Sequence, residues 1–196
     1  ETTTHYAWAS NTASPSFDPS DQPLSTGYHA QQMYIVAFQV EHRFEGVTFD
    51  WQLQYQYDPN GSPGPWRDVT SSSQEWTAAD GPFGDHRDFV LPGDFVVNGG
   101  SGAGQAVAGR YSETGSLNYS FSSGEFYTEL WFAVQPTVFN KAYDYRFRLT
   151  RSGSPSGFTY LAYPFIQGPT TVGSLGAVGS SCTDDTTPEL SLFCQD

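Results

Sequence analysis

Three observations predict an all-β chain folded as an antiparallel β-sandwich of immunoglobulin-like or jelly-roll type with long loops. Apolar and polar residues alternate with a period of two in several long runs, the pattern of half-buried strands. Aromatics make up 16% of the 196 residues, and 20 Gly and 13 Pro supply turns, a balance that suits strands better than helices. No extended stretch carries the 3.6-residue period of an amphipathic helix.

The strands follow in order. "TTTHYAWAS" alternates Thr4, Tyr6 and Trp8 against His5, Ala7 and Ala9, and "SPSFDPSDQP" then stops the pattern. In "MYIVAFQVEHRF", Tyr34, Val36, Phe38, Val40, His42 and Phe44 share one face, with Gln39, Glu41 and Arg43 on the other. Residues 49 to 57 set Phe49, Trp51, Leu53, Tyr55 and Tyr57 against Asp50, Gln52, Gln54 and Gln56. This alternation predicts buried rings and exposed glutamines, because a one-residue slip would place glutamines in the core. The "DPNG" and "SPGP" that follow are turn chemistry. "EFYTELWFAVQ" supplies Phe126, Leu130, Phe132 and Val134, and "AYDYRFRLTR" supplies Tyr143, Tyr145, Phe147 and Leu149 opposite Asp144, Arg146 and Arg148. "GFTYLAYPFI" completes the set. Each strand thus offers one apolar face, and sheets that bury one side each pack as a sandwich.

Between Ser71 and Gly124 the alternation lapses, broken by short strands around "DFVL" and "LNYSF"; loops this long are usually functional or flexible. Residues 1–166 read as one domain. Residues 167–196 read as a flexible arm with a C-terminal hook closed by Cys182 and Cys194, the only two cysteines, with eleven residues between them. Such a pairing fits an oxidising compartment. The chain starts at Glu1 without a basic-then-apolar leader, which reads as a chain from which an export signal has been removed. No run approaches the roughly 20 apolar residues of a membrane-spanning helix, so membrane insertion is not expected.

With 21 acidic residues against 8 Lys plus Arg, the formal charge is −13, which repels phosphate backbones and makes nucleic acid an unsuitable partner. Catalytic signatures are thin. His5, His29, His42 and His86 are scattered with no zinc-ligand spacing, and "GGSGA" lacks the last glycine of a nucleophile elbow. An enzyme is therefore not expected. No cofactor is expected either, although Asp80, Asp85 and Asp88 place hard oxygen ligands together in one loop and are weak candidates for calcium. The triplets at Asn60 and Asn118 permit N-glycosylation. A sugar platform would put rings on a face the core does not use, so the glycan-contact candidates are Trp66 and Trp76 in loops and Trp131 on the polar face of its strand. Rim packing is the competing reading of all three.

The run "HYAWASNTAS", then "FQVEHRF", "FDWQLQYQY", "GRYSETGS" and "YDYRFRLTRSG…FTYLAYPFI", resembles a loosely defined β-rich module of environmental bacterial and phage surface proteins. Members of that group open with a "HYRWR"-like segment and carry "FQLQY" and "YRFRL" strands. The likeness spans most of residues 5 to 166 and implies an adhesive or structural role without catalytic residues. The function expected is thus a non-enzymatic structural subunit of an extracellular assembly, a surface filament or a virion surface, that associates with copies of itself or with other surface proteins through strand edges. In that reading Thr4, Tyr6 and Trp8 form an assembly strand within residues 1–10, added to the sheet of the adjacent copy. The alternative is a carbohydrate-binding or adhesion module.

Closure of the hook is testable directly. A loop of this size stabilises by about 3 kcal/mol in the chain-entropy model. Intact mass after alkylation without reductant should show no added alkyl groups on Cys182 and Cys194, whereas two added groups would contradict the disulfide.

Overall fold

The computed structural model describes residues 2–24, 32–42, 48–58, 62–85, 87, 105–106, 108–120, 126–137, 144–160, 163–166 and 168. Among these the chain is all strand and loop, with no helix. The strands are β1 (Thr2–Ser10), β2 (Tyr34–His42), β3 (Thr48–Asp58), β4 (Arg67–Asp68), β5 (Trp76–Ala78), β6 (Gln105–Ala106), β7 (Arg110–Ser112), β8 (Ser116–Ser120), β9 (Phe126–Pro136), β10 (Asp144–Arg151), β11 (Thr159–Tyr160) and β12 (Phe165–Ile166). They form two sheets. The first runs β11-β1-β2-β9-β5, with β6 and β7 also on β9; the second runs β12-β10-β3-β4, with β8 also on β3. The long pairs are antiparallel, and the parallel ones involve only the short β11, β6 and β7.

The two sheets face each other across one ring-rich layer in a sandwich-like arrangement. From the first sheet come Tyr6, Trp8, Tyr34, Val36, Phe38, Val40, Leu130, Phe132 and Val134; from the second come Trp51, Leu53, Tyr55, Tyr145, Phe147 and Leu149. The expected period is realised: Trp51, Leu53 and Tyr55 are buried, and the register sets Leu53 against Leu149 and Tyr55 against Phe147. Phe147 is the hub. Trp8 meets it edge-on at 5.4 Å and Trp76 at 5.2 Å, both from the first sheet.

Two expectations about the outer faces are corrected. The outer face of the first sheet is not wet. Ala7, Ala9, Ile35, Ala37, Trp131 and Ala133 form a second buried layer beneath Phe17, Ala79, Phe83 and Tyr111. Gln39 and Glu129, adjacent in register, are fully buried there, and Trp131 Nε1 donates to Glu129 Oε2 at 2.9 Å. The cover is fastened by Asn11, whose Nδ2 donates to the Asp80 carbonyl and whose Oδ1 accepts from the Tyr111 hydroxyl at 3.0 Å. It fits only because position 81 is glycine: a Cβ there would lie 1.9 Å from the Tyr111 oxygen.

The glutamines of β3, predicted exposed, are instead half-buried at Gln52 and Gln56 and buried at Gln54. The reason is hydrogen bonding. Gln52 Nε2 lies 3.0 Å from the carbonyl oxygens of Leu53, Val69 and Gly115, Gln56 Nε2 donates to Gly64, and Gln54 is held between Asp68 and Arg148. Loop backbone therefore lies over this face wherever a glutamine can satisfy it.

The far edges of the long strands are met by the chain itself. Along β1, the amides of Asp18 and Asp21 donate to the Trp8 and Tyr6 carbonyls at 2.8 and 2.9 Å, and Asp21 Oδ1 accepts the Tyr6 amide. Beside β10 lie β12 and the Pro164 carbonyl, which accepts the Phe147 amide; β5, β6 and β7 flank β9, and β4 and β8 flank β3. Such covering blunts edge-to-edge pairing. The assembly strand expected at Thr4, Tyr6 and Trp8 is thus seated between β11 and β2 of its own chain, with Tyr6 and Trp8 buried in its own core.

Three stability outcomes follow. Leu53→Ala should cost about 2–5 kcal/mol in denaturant melts. Gln54→Ala, which leaves Arg148 and Asp68 without their shared partner, should cost about 1–3 kcal/mol and not the roughly 0.5 kcal/mol of an exposed glutamine. Deleting residues 1–10 should unfold the chain, because β1 contributes to both buried layers; a folded truncated chain by circular dichroism would contradict this placement.

Candidate functional site

The outer face of the second sheet carries side chains that its own core does not use. Alternation along β10 points Tyr145, Phe147 and Leu149 inward, which sends Arg146 and Arg148 outward. Antiparallel pairing places Arg148 opposite Gln54 of β3, and the Arg148 Nε donates to Gln54 Oε1 at 2.9 Å. Gln54 Nε2 in turn donates to Asp68 Oδ1 at 2.8 Å. A neutral amide therefore separates the guanidinium from its nearest carboxylate.

Beside this relay runs a row of rings. The Arg148 guanidinium carbon lies 4.2 Å from the centroid of Trp66, which stands in the loop before β4. Trp66 and Tyr163 are 5.8 Å apart at 30°, Tyr163 and Tyr160 are 5.2 Å apart at 21°, and Tyr160 and Phe158 are 5.6 Å apart at 13°. These separations are those of offset, near-parallel rings, so the row is stepped rather than flat. Phe158 ends it edge-on against the core residue Trp51, and the Tyr160 hydroxyl donates to the Leu149 carbonyl. The row thus climbs from the core to the surface, where Tyr163 is 38% exposed. Pro164 interrupts the strand expected over "GFTYLAYPFI", leaving β11 and β12 as separate short pieces with Tyr163 between them.

Local electrostatics follow from burial. Desolvation pulls the Arg148 guanidinium below the usual arginine range, against the opposing pull of Tyr160, Tyr163 and Asp68. Burial also pushes Tyr160 up to about 12. At the neighbouring end of the sheet, Arg67 Nη1 lies 2.8 Å from Glu75 Oε1, and the Tyr55 hydroxyl donates to Glu75 Oε2 at 2.5 Å. Burial, then the Glu75 hydrogen bond, raises Tyr55 to about 12. This cluster ties β4 to the segment entering β5 and so joins the two sheets.

The residues singled out from sequence separate sharply. Of five tryptophans, Trp8, Trp51 and Trp76 are wholly buried and Trp131 is 4% exposed, so Trp66 alone remains at the surface. Trp76, a glycan-contact candidate from its place in a loop, packs on Tyr34, Tyr145 and Phe147 in β5. Trp131, a candidate on its polar neighbours, lies under Phe17 and Phe83. Both are corrected to core residues. Asp80 and Asp85 are exposed, Asp85 Oδ1 accepts the Glu113 amide at 2.8 Å, and Asp88 lies outside the described residues. Among the described residues no group of three or more His, Cys, Asp or Glu could hold a metal, and no helix is long and apolar enough to cross a membrane. Asn118 is exposed on β8; Asn60, Cys182 and Cys194 lie outside the described residues. His5 bonds Asp21 at 2.6 Å. Sequence reasoning missed Arg148, Tyr160 and Tyr163; the usable signal was the outward parity of arginines in "YRFRL" and the proline in "AYPF".

The buried phenols carry a pH consequence. Tyr6, Tyr55 and Tyr160 are each raised from the ordinary 10.0 to about 12, so between pH 10 and 12 the unfolded chain ionises where the folded chain does not. Their stabilisation is complete below pH 10 and is lost as pH rises through 12. Absorbance titration should show a fraction of the twelve tyrosines ionising late and together with unfolding; uniform ionisation near pH 10.0 without loss of structure would contradict it. No protein-family model, no curated protein and no solved structure matches this chain.

Proposed function

We propose that this chain is a non-enzymatic extracellular adhesion module, a β-sandwich of immunoglobulin-like or jelly-roll type, that holds carbohydrate against the ring row beside the outer face of its second sheet. One observation carries the reading: the single tryptophan left out of the core, Trp66, stands in line with Tyr163 and Tyr160 on a face flanked by Gln54, Arg148 and Asp68. The C–H face of a sugar is apolar and slightly positive, and it complements the negative face of an aromatic ring. Neighbouring amide, guanidinium and carboxylate groups serve its hydroxyls. Stacking on Arg148 and Tyr163 holds Trp66 in place before binding, so little side-chain entropy remains to be lost.

A second reading, a structural subunit in a filament or a virion surface, is favoured by the covered edges. Modules held at high local density must not pair edge to edge indiscriminately, and each long strand is met by its own chain. In that setting the partners are copies of the chain or other surface proteins, joined through faces and loops in place of open strand edges. The likeness of its strand motifs to bacterial and phage surface modules supports both readings.

A glycan array tests the first. At least one oligosaccharide class should bind, and Trp66→Ala or Tyr163→Ala should weaken it about tenfold or more while the melting temperature stays within a few degrees. Met33→Ala, which removes another exposed hydrophobic residue outside the ring row, should leave binding unchanged. Absence of binding, or binding indifferent to Trp66, would overturn the proposal.

A further inference from the structure

The ring-bearing face sets arginines among carboxylates: Asp144 shares the outward parity of Arg146 and Arg148 on β10, and Asp68 stands opposite Gln54 on β4. The chain carries a formal charge of −13, yet β10 turns Arg146 and Arg148 outward together on the sheet face that holds Trp66. Arg148 is held in a particular way. Its Nε is engaged by Gln54, its plane rests by Trp66, and Asp68 is turned to Gln54 rather than to the guanidinium. No hydrogen bond from either Nη of Arg148 is made among the described residues, so the outer fork of the guanidinium has its donors available beside the rings.

From this we infer that the ring row selects an acidic glycan, with the carboxylate of a hexuronate unit received by the Nη fork of Arg148 while the adjoining sugar rings lie along Trp66 and Tyr163. The inference rests on the adhesion reading above and specifies its ligand. A planar guanidinium offers two parallel N–H donors at the spacing of a carboxylate's two oxygens, a match that an ammonium lacks. Arg148 is half-buried, so its contact with a carboxylate is shielded from solvent more than a surface ion pair is. Arg146, exposed two residues along the same strand face, adds positive potential next to it. The remaining acidic residues do not forbid an anionic ligand. At physiological salt, charges beyond about 8 Å are largely screened, and Asp68, the carboxylate near Arg148, is engaged by Gln54 Nε2, so the guanidinium fork decides.

The same fork would accept a sulfate ester, so the experiment separates the sources. Titration calorimetry would compare a short oligogalacturonate, the same oligomer as its neutral methyl ester, and a sulfated oligosaccharide without carboxylates. The acid form should bind about tenfold or more tightly than its ester, and Arg148→Gln should abolish that preference while leaving the affinity for the ester largely unchanged. Arg148→Lys, which keeps the charge and loses the fork, should recover only part of it. The wild-type comparison stands even if the variants fold poorly. Equal affinity for acid and ester would overturn the acidic selectivity and leave the ring platform intact. Binding of the sulfated probe as tightly as the acid would overturn the carboxylate assignment. Binding of none of the three, where the glycan array also shows none, would remove the platform itself.

Discussion

The structure depends on the interlocking of aromatic rings around Phe147. Trp8 and Trp76 reach this ring edge-on from the first sheet, and Tyr55 tilts against it from its own sheet at 6.5 Å. Edge-to-face contacts constrain direction as well as distance, so they fix how the two sheets sit on each other more tightly than aliphatic packing of equal area would. Strand parity then follows. Once Phe147 points inward, Arg146 and Arg148 must point outward, and once Leu53 and Tyr55 fill the core opposite, Gln54 must meet Arg148 on the far side. The polar outer face is in this sense a consequence of the core.

The two outer faces are handled differently. On the first sheet, small residues at Ala7, Ala9, Ala37 and Ala133 leave room for Trp131, and Phe17 and Phe83 close over it. That face is sealed by apolar cover. On the second sheet the outward residues are polar or charged, with glutamines on β3 and Asp144, Arg146 and Arg148 on β10, and these cannot be buried under apolar side chains without hydrogen-bond partners. Loop carbonyls, Asp68 and the rings of Trp66 and Tyr163 meet them instead, and the result is a polar, partly open surface with ordered aromatics. On this face Arg148 and the rings of Trp66 and Tyr163 stand side by side without being closed over.

What could be read from the sequence divides along the same line. The inward set was legible because a period of two survives wherever large apolar residues occupy alternate positions, as in Tyr34, Val36, Phe38 and Val40 or in Trp51, Leu53 and Tyr55. The second buried layer was not. Gln39 and Glu129 look like solvent residues, and they are buried on the face that distant segments around Phe17, Phe83 and Tyr111 cover. Trp66 was legible as a loop tryptophan, but Trp76 and Trp131 were equally good candidates, because local context does not reveal which loop packs inward. Pairing of Arg148 with Gln54 joins residues 94 positions apart and follows only from the β3–β10 register.

The most direct measurement is a heteronuclear spectrum of the five tryptophan indole N–H groups recorded with and without oligogalacturonate. Four indoles belong to buried layers and one stands beside Arg148 on the outer face. The Trp66 cross-peak should move on titration, together with the Arg148 Nε–H, while those of Trp8, Trp51, Trp76 and Trp131 stay in place. Shifts confined to the buried indoles, or saturating binding that leaves Trp66 unmoved, would contradict binding at the ring row.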